Sequence, residues 1–190
     1  MTEMAHSEAE TTFDGNVQKI AKMIHGIDFA MLTTVNDDGH LHSRPMSTQQ
    51  VEFDGTVWFF TYEDTPKAQD IRRNPQVNVA YADPKKQDYV SLAGRAEIVK
   101  DRAKMEELWE APLKAWFPQG VDTPGIALIK VTAETAELWD SPTNPVAHLI
   151  SLAKVAITGK PANPGENVTL DLSDHEDSLT ADRAAVGSGV

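Results

Sequence analysis

Thr65, Pro66 and Lys67 combine the residue types that make an anion-binding corner at the start of a helix. Proline favours the first helical position, which puts Thr65 at the N-cap and Lys67 in the first turn. Free backbone amides, the positive end of the helix dipole, a hydroxyl and an ammonium then face one region. Arg44 lies on the strand-like run before the one that leads into Thr65, and it would add a planar guanidinium suited to bidentate contact with a phosphate. An ordinary cap with a surface ion pair accounts for the same residues, and such pairs contribute little.

Other chemistries find little support. The chain has no GxGxxG, Walker loop, GxSxG or HExxH pattern. Of its six histidines, His40 and His42 alone are close enough to share a strand face, and they lack obvious further ligands. Two surface histidines fit that pattern better than a metal pair, and no metal is assigned. With no cysteine, disulfides, thiolate zinc sites and thiol nucleophiles are excluded, and a reducing cytoplasm is the expected setting.

The elements that must position the basic residues alternate between strands and short helices. Residues 1–13 are polar and aperiodic, and disorder is expected there. Val17, Ile20, Ala21 and Ile24 fall at helical spacing, with Asp14 as a possible cap before them and Gly26 behind. Three strands are predicted next: Phe29 to Val35, Leu41 to Phe53, and Val57 to Tyr62, turning at Asn36–Gly39 and Asp54-Gly55. A two-turn helix starts behind Thr65 and stops at Asn74-Pro75. Val77 to Ala82 and Tyr89 to Val99 read as the fourth and fifth strands, with Gly94 marking a bulge or sharp bend.

Asp101 caps a helix carrying Met105, Leu108, Trp109, Leu113, Trp116 and Phe117, which Pro112 kinks or splits in two. The sixth strand spans Ile126 to Trp139, with an interruption near Ala133. An apolar helix follows from Asn144 to about Ile157. In the Gly, Pro and Asp-rich tail only Val168 to Leu172 is expected to be ordered. Strands outnumber helices without regular βα alternation, so the expected fold is mainly β: a six-stranded antiparallel β-barrel with peripheral helices. The expected domain covers 14–157, with 158–190 as a largely irregular tail.

At 190 residues and a formal charge of −12, the chain fits one domain that repels nucleic acid and anionic lipid. No apolar run approaches the roughly 18 residues that span a bilayer, and the acidic N-terminus has no export-signal pattern. Neither a nucleic acid nor a membrane partner is expected. Any bound phosphate must be held by a local basic site, which makes the group Arg44, Lys67, Arg72 and Arg73 informative, although such groups are commonly solvated faces.

The order and spacing of several segments resemble the pyridoxamine 5′-phosphate oxidase-like split barrels. They are Met31-Leu32-Thr33-Thr34, His42-Ser43-Arg44-Pro45-Met46, Trp58-Phe59-Phe60-Thr61, Lys67-Ala68-Gln69-Asp70-Ile71 and Asn74-Pro75-Gln76-Val77. Val90 to Glu97 and Ala136 to Asp140 are similar to the closing strands of that family. Trp116-Phe117-Pro118-Gln119-Gly120 is similar to a motif of its general stress protein branch. The likeness covers about residues 14 to 160.

This resemblance implies an FMN-binding split barrel that works as a homodimer, with the flavin completed by the second subunit. Arg44 and Lys67 match the cations on the FMN phosphate, and Thr65 a hydroxyl beside them. Pro45, Met46, Ser47 and Thr48 match the strand along the isoalloxazine ring, Phe60 and Thr61 a pair on the next strand, and Trp139 a tryptophan near the ring. Trp116 is a further candidate for the pocket. Tyr89 stands where the oxidases carry a glutamine that reaches FMN across the dimer. Gln49 replaces a substrate-facing lysine, and Asp140 to Ala147 carries no cation where the oxidases grip pyridoxal phosphate. The expected activity is therefore an FMN-dependent oxidoreductase, not a true pyridoxamine phosphate oxidase. A non-catalytic flavin-storing or stress-protective protein is the alternative, as is the same barrel holding a deazaflavin or haem.

Overall fold

Alternating burial along Phe29–Val35, with Ala30, Leu32 and Thr34 inside and Phe29 and Met31 outside, defines a strand, β1, with one face on a core. The computed structural model describes residues 14–49, 51–140 and 166–172. Helix α1 (14–24) precedes β1. There follow β2 (Leu41–Ser47), β3 (Thr56–Tyr62), α2 (Pro66–Arg73), β4 (Gln76–Asp83), β5 (Asp88–Val99), α3 (Arg102–Glu107), β6 (Ile126–Asp140) and β7 (Glu166–Asp171). The same period-two burial runs along β4 and β5, where Val77, Val79, Tyr81, Val90, Leu92 and Ala96 point inward.

All ladders are antiparallel, in the order β2-β1-β4-β5-β6-β3, with β7 also on β6. The architecture is the expected antiparallel split barrel, with seven strands among the described residues instead of six. β7 supplies the extra one, and it overlaps the tail segment expected to be ordered, starting two residues earlier and ending one residue sooner. β6 is continuous, and its interruption is a bulge: Gly94 pairs with Ala133 while Ala93 pairs with Thr135, leaving Glu134 without a counterpart. The bulge divides one edge of β6 between two partners, β3 along Ile126 to Thr132 and β7 from Thr135 onward.

Two further expectations are corrected. β2 ends at Ser47, well short of Phe53, because β1 begins at Phe29 opposite it and offers no partner beyond the bond from Thr48 N–H to the Asp28 carbonyl. The helix behind Asp101 is split. α3 stops at Glu107, and Pro112 lies near the start of a separate 3₁₀ turn, Ala111–Ala115, since proline lacks the N–H needed to continue a helix. Residues 1–13, the helix expected over 144–157 and the boundary at 157/158 lie outside the described residues.

One core fills the barrel, centred on Leu32, Phe59, Val79, Leu92, Ile129 and Leu138, and α1 packs Ile20 and Met23 against it. A second cluster lies under α3 and the 3₁₀ turn, where Phe60, Met105, Leu108, Leu113, Phe117, Ile126 and Leu128 meet on the other side of β3. β2 and β3 are the two ends of the hydrogen-bonded path. They come near each other without forming a ladder, and the gap between them is the split in the barrel.

Candidate functional site

A cleft of about 290 Å³ occupies that gap. β2 contributes Pro45, Met46 and Ser47 to it, and β3 contributes Phe60, Thr61 and Tyr62. Lys67 stands at one end, and Trp116 and Phe117 form a wall from the segment behind α3. Edge strands present backbone N–H and C=O groups with no ladder partner, so the β2 side offers main-chain hydrogen bonds to a flat polar ring. The far wall is aromatic and rigid. Phe60 meets Trp109 edge-on with centroids 5.6 Å apart, Tyr62 lies 5.0 Å from Phe117, and the Tyr62 hydroxyl donates to the Trp116 carbonyl at 2.7 Å.

The basic corner adjoins the cleft. Thr65 is the N-cap residue of α2 by backbone conformation, yet its hydroxyl donates to the Tyr62 carbonyl at 3.0 Å instead of capping the helix. The Thr61 hydroxyl lies 3.5 Å from that of Thr65. The first intrahelical bond runs from Gln69 N–H to the Thr65 carbonyl; Ala68 is buried, so the amide left for an external acceptor is that of Lys67. Burial holds the Lys67 ammonium below the usual lysine range, and the nearby Arg44 guanidinium adds to the effect. Arg44 is likewise lowered by burial, with the Asp70 carboxylate acting in the opposite direction.

A partly buried lysine close enough to a partly buried arginine to be depressed by it is costly without an anion. Among the described residues no carboxylate forms an ion pair with Lys67. The other cations of the sequence group are engaged elsewhere: Arg73 pairs with Asp37 at 2.6 Å, and Arg72 donates to the Glu63 carbonyl at 2.7 Å. The fold thus sorts four neighbouring cations into two at the site and two on the surface.

Arg44 pairs with Leu32 across β1 and β2, which directs both toward the interior, and Arg44 Nη1 donates to the buried Thr34 hydroxyl at 2.8 Å. Thr34 in turn donates to Asp70 Oδ2 at 3.0 Å. Sequence reasoning missed Thr34 and Asp70 as members of the site. The available signal was parity, since Thr34 shares the inward face with Leu32 and so cannot be an ordinary surface threonine.

Two of the sequence candidates stand apart from the cleft in this single chain. The Thr48 hydroxyl donates to the Ile27 carbonyl at 2.5 Å and lines a different cavity, between α1 and the segment after β2. Trp139 pairs with Tyr89 on the outer face of the sheet, where both are substantially exposed. Trp116, by contrast, borders the cleft with more than half of its surface open.

Among the described residues no helix is long and apolar enough to cross a membrane, and no group of three or more His, Asp or Glu side chains is placed to hold a metal ion.

A split barrel whose gap is polar at one end and aromatic along its length defines a class of protein, and comparison with known families identifies which. The family model described as "Pyridoxamine 5'-phosphate oxidase like" matches residues 15–163, and the chain belongs to that family. The protein bli-3 of Neurospora crassa is 28% identical over 182 residues, which cover 90% of this chain and 86% of that one. General stress protein 26 of Bacillus subtilis is 28% identical over 132 residues, 65% of this chain and 88% of that one. Among solved structures, a general stress FMN/FAD binding protein from Xanthomonas citri superposes with a TM-score of 0.56 at 26% identity, covering 64% of this chain and 86% of that one.

Proposed function

We propose that this chain binds FMN in the gap between β2 and β3 and acts as a flavin-dependent oxidoreductase of the general stress protein type. The observation that carries this reading is the pairing of Arg44 and Lys67 at the uncapped start of α2, next to an aromatic cleft. Two cations and the free Lys67 amide suit a phosphate dianion, and the free edge of β2 suits the polar rim of a flat heteroaromatic ring. The Xanthomonas citri relative, described as an FMN/FAD binding protein, supports the choice of ligand.

Bound FMN would supply the hydride or electron transfer. The protein's own part is to bind, to orient and to exclude water. Arg44, Lys67 and the Lys67 amide would hold the phosphate, Pro45 to Ser47 would meet the ring through main-chain groups, and Phe60, Trp116 and Phe117 would shield it. Among the described residues no carboxylate or imidazole lines the cleft, and no side chain is assigned as a general acid or base.

The second subunit belongs to the same proposal. At about 290 Å³ the cleft lies at the lower edge of the roughly 300–1,000 Å³ that ligand pockets occupy, which suits a site finished by a partner. The outer face of the sheet carries Phe29, Met31, Tyr89 and Trp139, each between 38% and 56% exposed, and the strand register places all four on one side. A contiguous apolar face of this kind marks an interaction surface. A homodimer through it would bring Trp139 and Tyr89 of one subunit toward the other. A cytoplasmic setting accords with the lack of cysteine.

The test is the absorption spectrum and mass of the molecule that copurifies, followed by mixing with NADH or NADPH. Flavin absorption that bleaches on mixing is the expected result. A flavin that neither nucleotide reduces assigns the protein to storage or sensing, and a colourless protein that ignores added FMN rejects the proposal.

A further inference from the structure

We infer that Thr34 and Asp70 are positioning residues for Arg44: a relay of carboxylate, hydroxyl and guanidinium that aims the arginine at the phosphate. The inference rests on the FMN-phosphate reading above and assigns function to two side chains that do not line the cleft. A threonine hydroxyl has one hydrogen, and here it goes to Asp70 Oδ2 at 3.0 Å, which leaves only lone pairs toward Arg44. Arg44 Nη1 meets them at 2.8 Å, so the hydroxyl holds the arginine as an acceptor and its polarity is set from behind by the carboxylate.

Burial makes the arrangement strict. Thr34 is fully inaccessible and Asp70 is 7% exposed, so neither has water as an alternative partner at little cost. A buried carboxylate needs compensation, and the Asp70 carboxylate finds it in the electrostatic attraction of the Arg44 guanidinium. Asp70 also lies three residues beyond Lys67 on α2, one turn along the same helix. A single eight-residue helix thus delivers the ammonium that would contact the phosphate and the carboxylate that keeps the guanidinium beside it. With Asp70 present the corner carries two cations and one anion, which allows the cations to stay together before the dianion arrives.

The alternative is a purely structural tie between α2 and β1, and the two accounts differ in what they do to phosphate recognition. Flavin fluorescence titrations of the full chain with FMN and with riboflavin, which lacks the phosphate, separate them. Thr34→Val should weaken FMN binding by about tenfold while changing riboflavin affinity less than about twofold, and Thr34→Ser should restore FMN binding to within about threefold. Asp70→Asn should lower the FMN-to-riboflavin preference in the same sense, and adding it to Thr34→Val should cost less than it does in the wild type, because the hydroxyl link is then already broken and only the direct attraction of Asp70 for Arg44 remains to be lost. Should Thr34→Val fail to fold, Asp70→Asn reads the same relay. Equal losses for FMN and riboflavin, or additive effects of the two substitutions, would overturn the relay. A wild-type protein that binds FMN no better than riboflavin would instead overturn the phosphate site itself.

Discussion

Gly94 faces the backbone of β6 so closely that a Cβ added to it would lie 2.9 Å from Ala133 Cα and closer still to the Thr132 carbonyl oxygen. This glycine therefore allows the bulge that divides β6 between β3 and β7, and β3 forms one wall of the cleft. Gly94→Ala forces backbone apart, not a flexible side chain. The expected loss is about 3 kcal/mol, which corresponds to a fall of about 6–12 °C in Tm for a chain of this size. Thermal unfolding measures it, and an unchanged Tm would show that the bulge relaxes freely.

Charge-assisted hydrogen bonds to phosphate contribute roughly 1.5–3 kcal/mol each. Arg44→Ala combined with Lys67→Ala is accordingly expected to weaken FMN binding by several kcal/mol and to leave riboflavin binding nearly as it was. A fluorescence titration indistinguishable from wild type would remove the phosphate assignment.

Lys67 sits below its usual range because of burial first and Arg44 second. Its proton is thus lost at lower pH in the empty site than from an exposed lysine, and a bound dianion favours the proton's return. Binding takes up a proton in that window, so affinity falls as pH rises. FMN affinity measured from about pH 7 towards about pH 10, where the phosphate is already fully ionised, should decline in wild type and stay flatter in Lys67→Met. Parallel profiles would assign the titration to another group.

Met31 stands near the middle of the outer apolar face, paired with Ala80 of β4. A glutamate there places a charge where a dimer would exclude water. Met31→Glu should shift the protein to monomer in sedimentation velocity and weaken flavin binding, although Met31 is absent from the lining of the cleft. A variant that sediments as wild type would move the interface elsewhere.

The N-cap of α3 offers an independent check on local structure. Asp101 accepts a hydrogen bond from the Lys104 amide at 3.0 Å, and this short helix covers the Phe60 side of β3. Asp101→Ala should cost about 1 kcal/mol in chemical denaturation, without loss of FMN affinity. A loss of affinity at unchanged stability would mean that α3 contributes to the site.

Much of this protein was legible from its residues alone. Period-two burial is written into Val77 to Tyr81 and Val90 to Ala96, Thr65-Pro66 announces the start of α2, and Gly94 announces the bulge, because each is a local preference of a few adjacent residues. The basic corner was legible for the same reason: Lys67 lies two residues behind the cap position, in the first turn, and Arg44 lies on a strand. The tertiary structure alone decided the rest. It stopped β2 at Ser47 because β1 had no residue to pair beyond it, added β7 as a seventh strand, and turned Arg72 and Arg73 to surface partners while Arg44 and Lys67 converged. It also brought Asp70 to Thr34 across 36 positions of the chain. Those outcomes depend on which elements become neighbours when the barrel forms, and pairing between distant segments leaves no trace in local spacing.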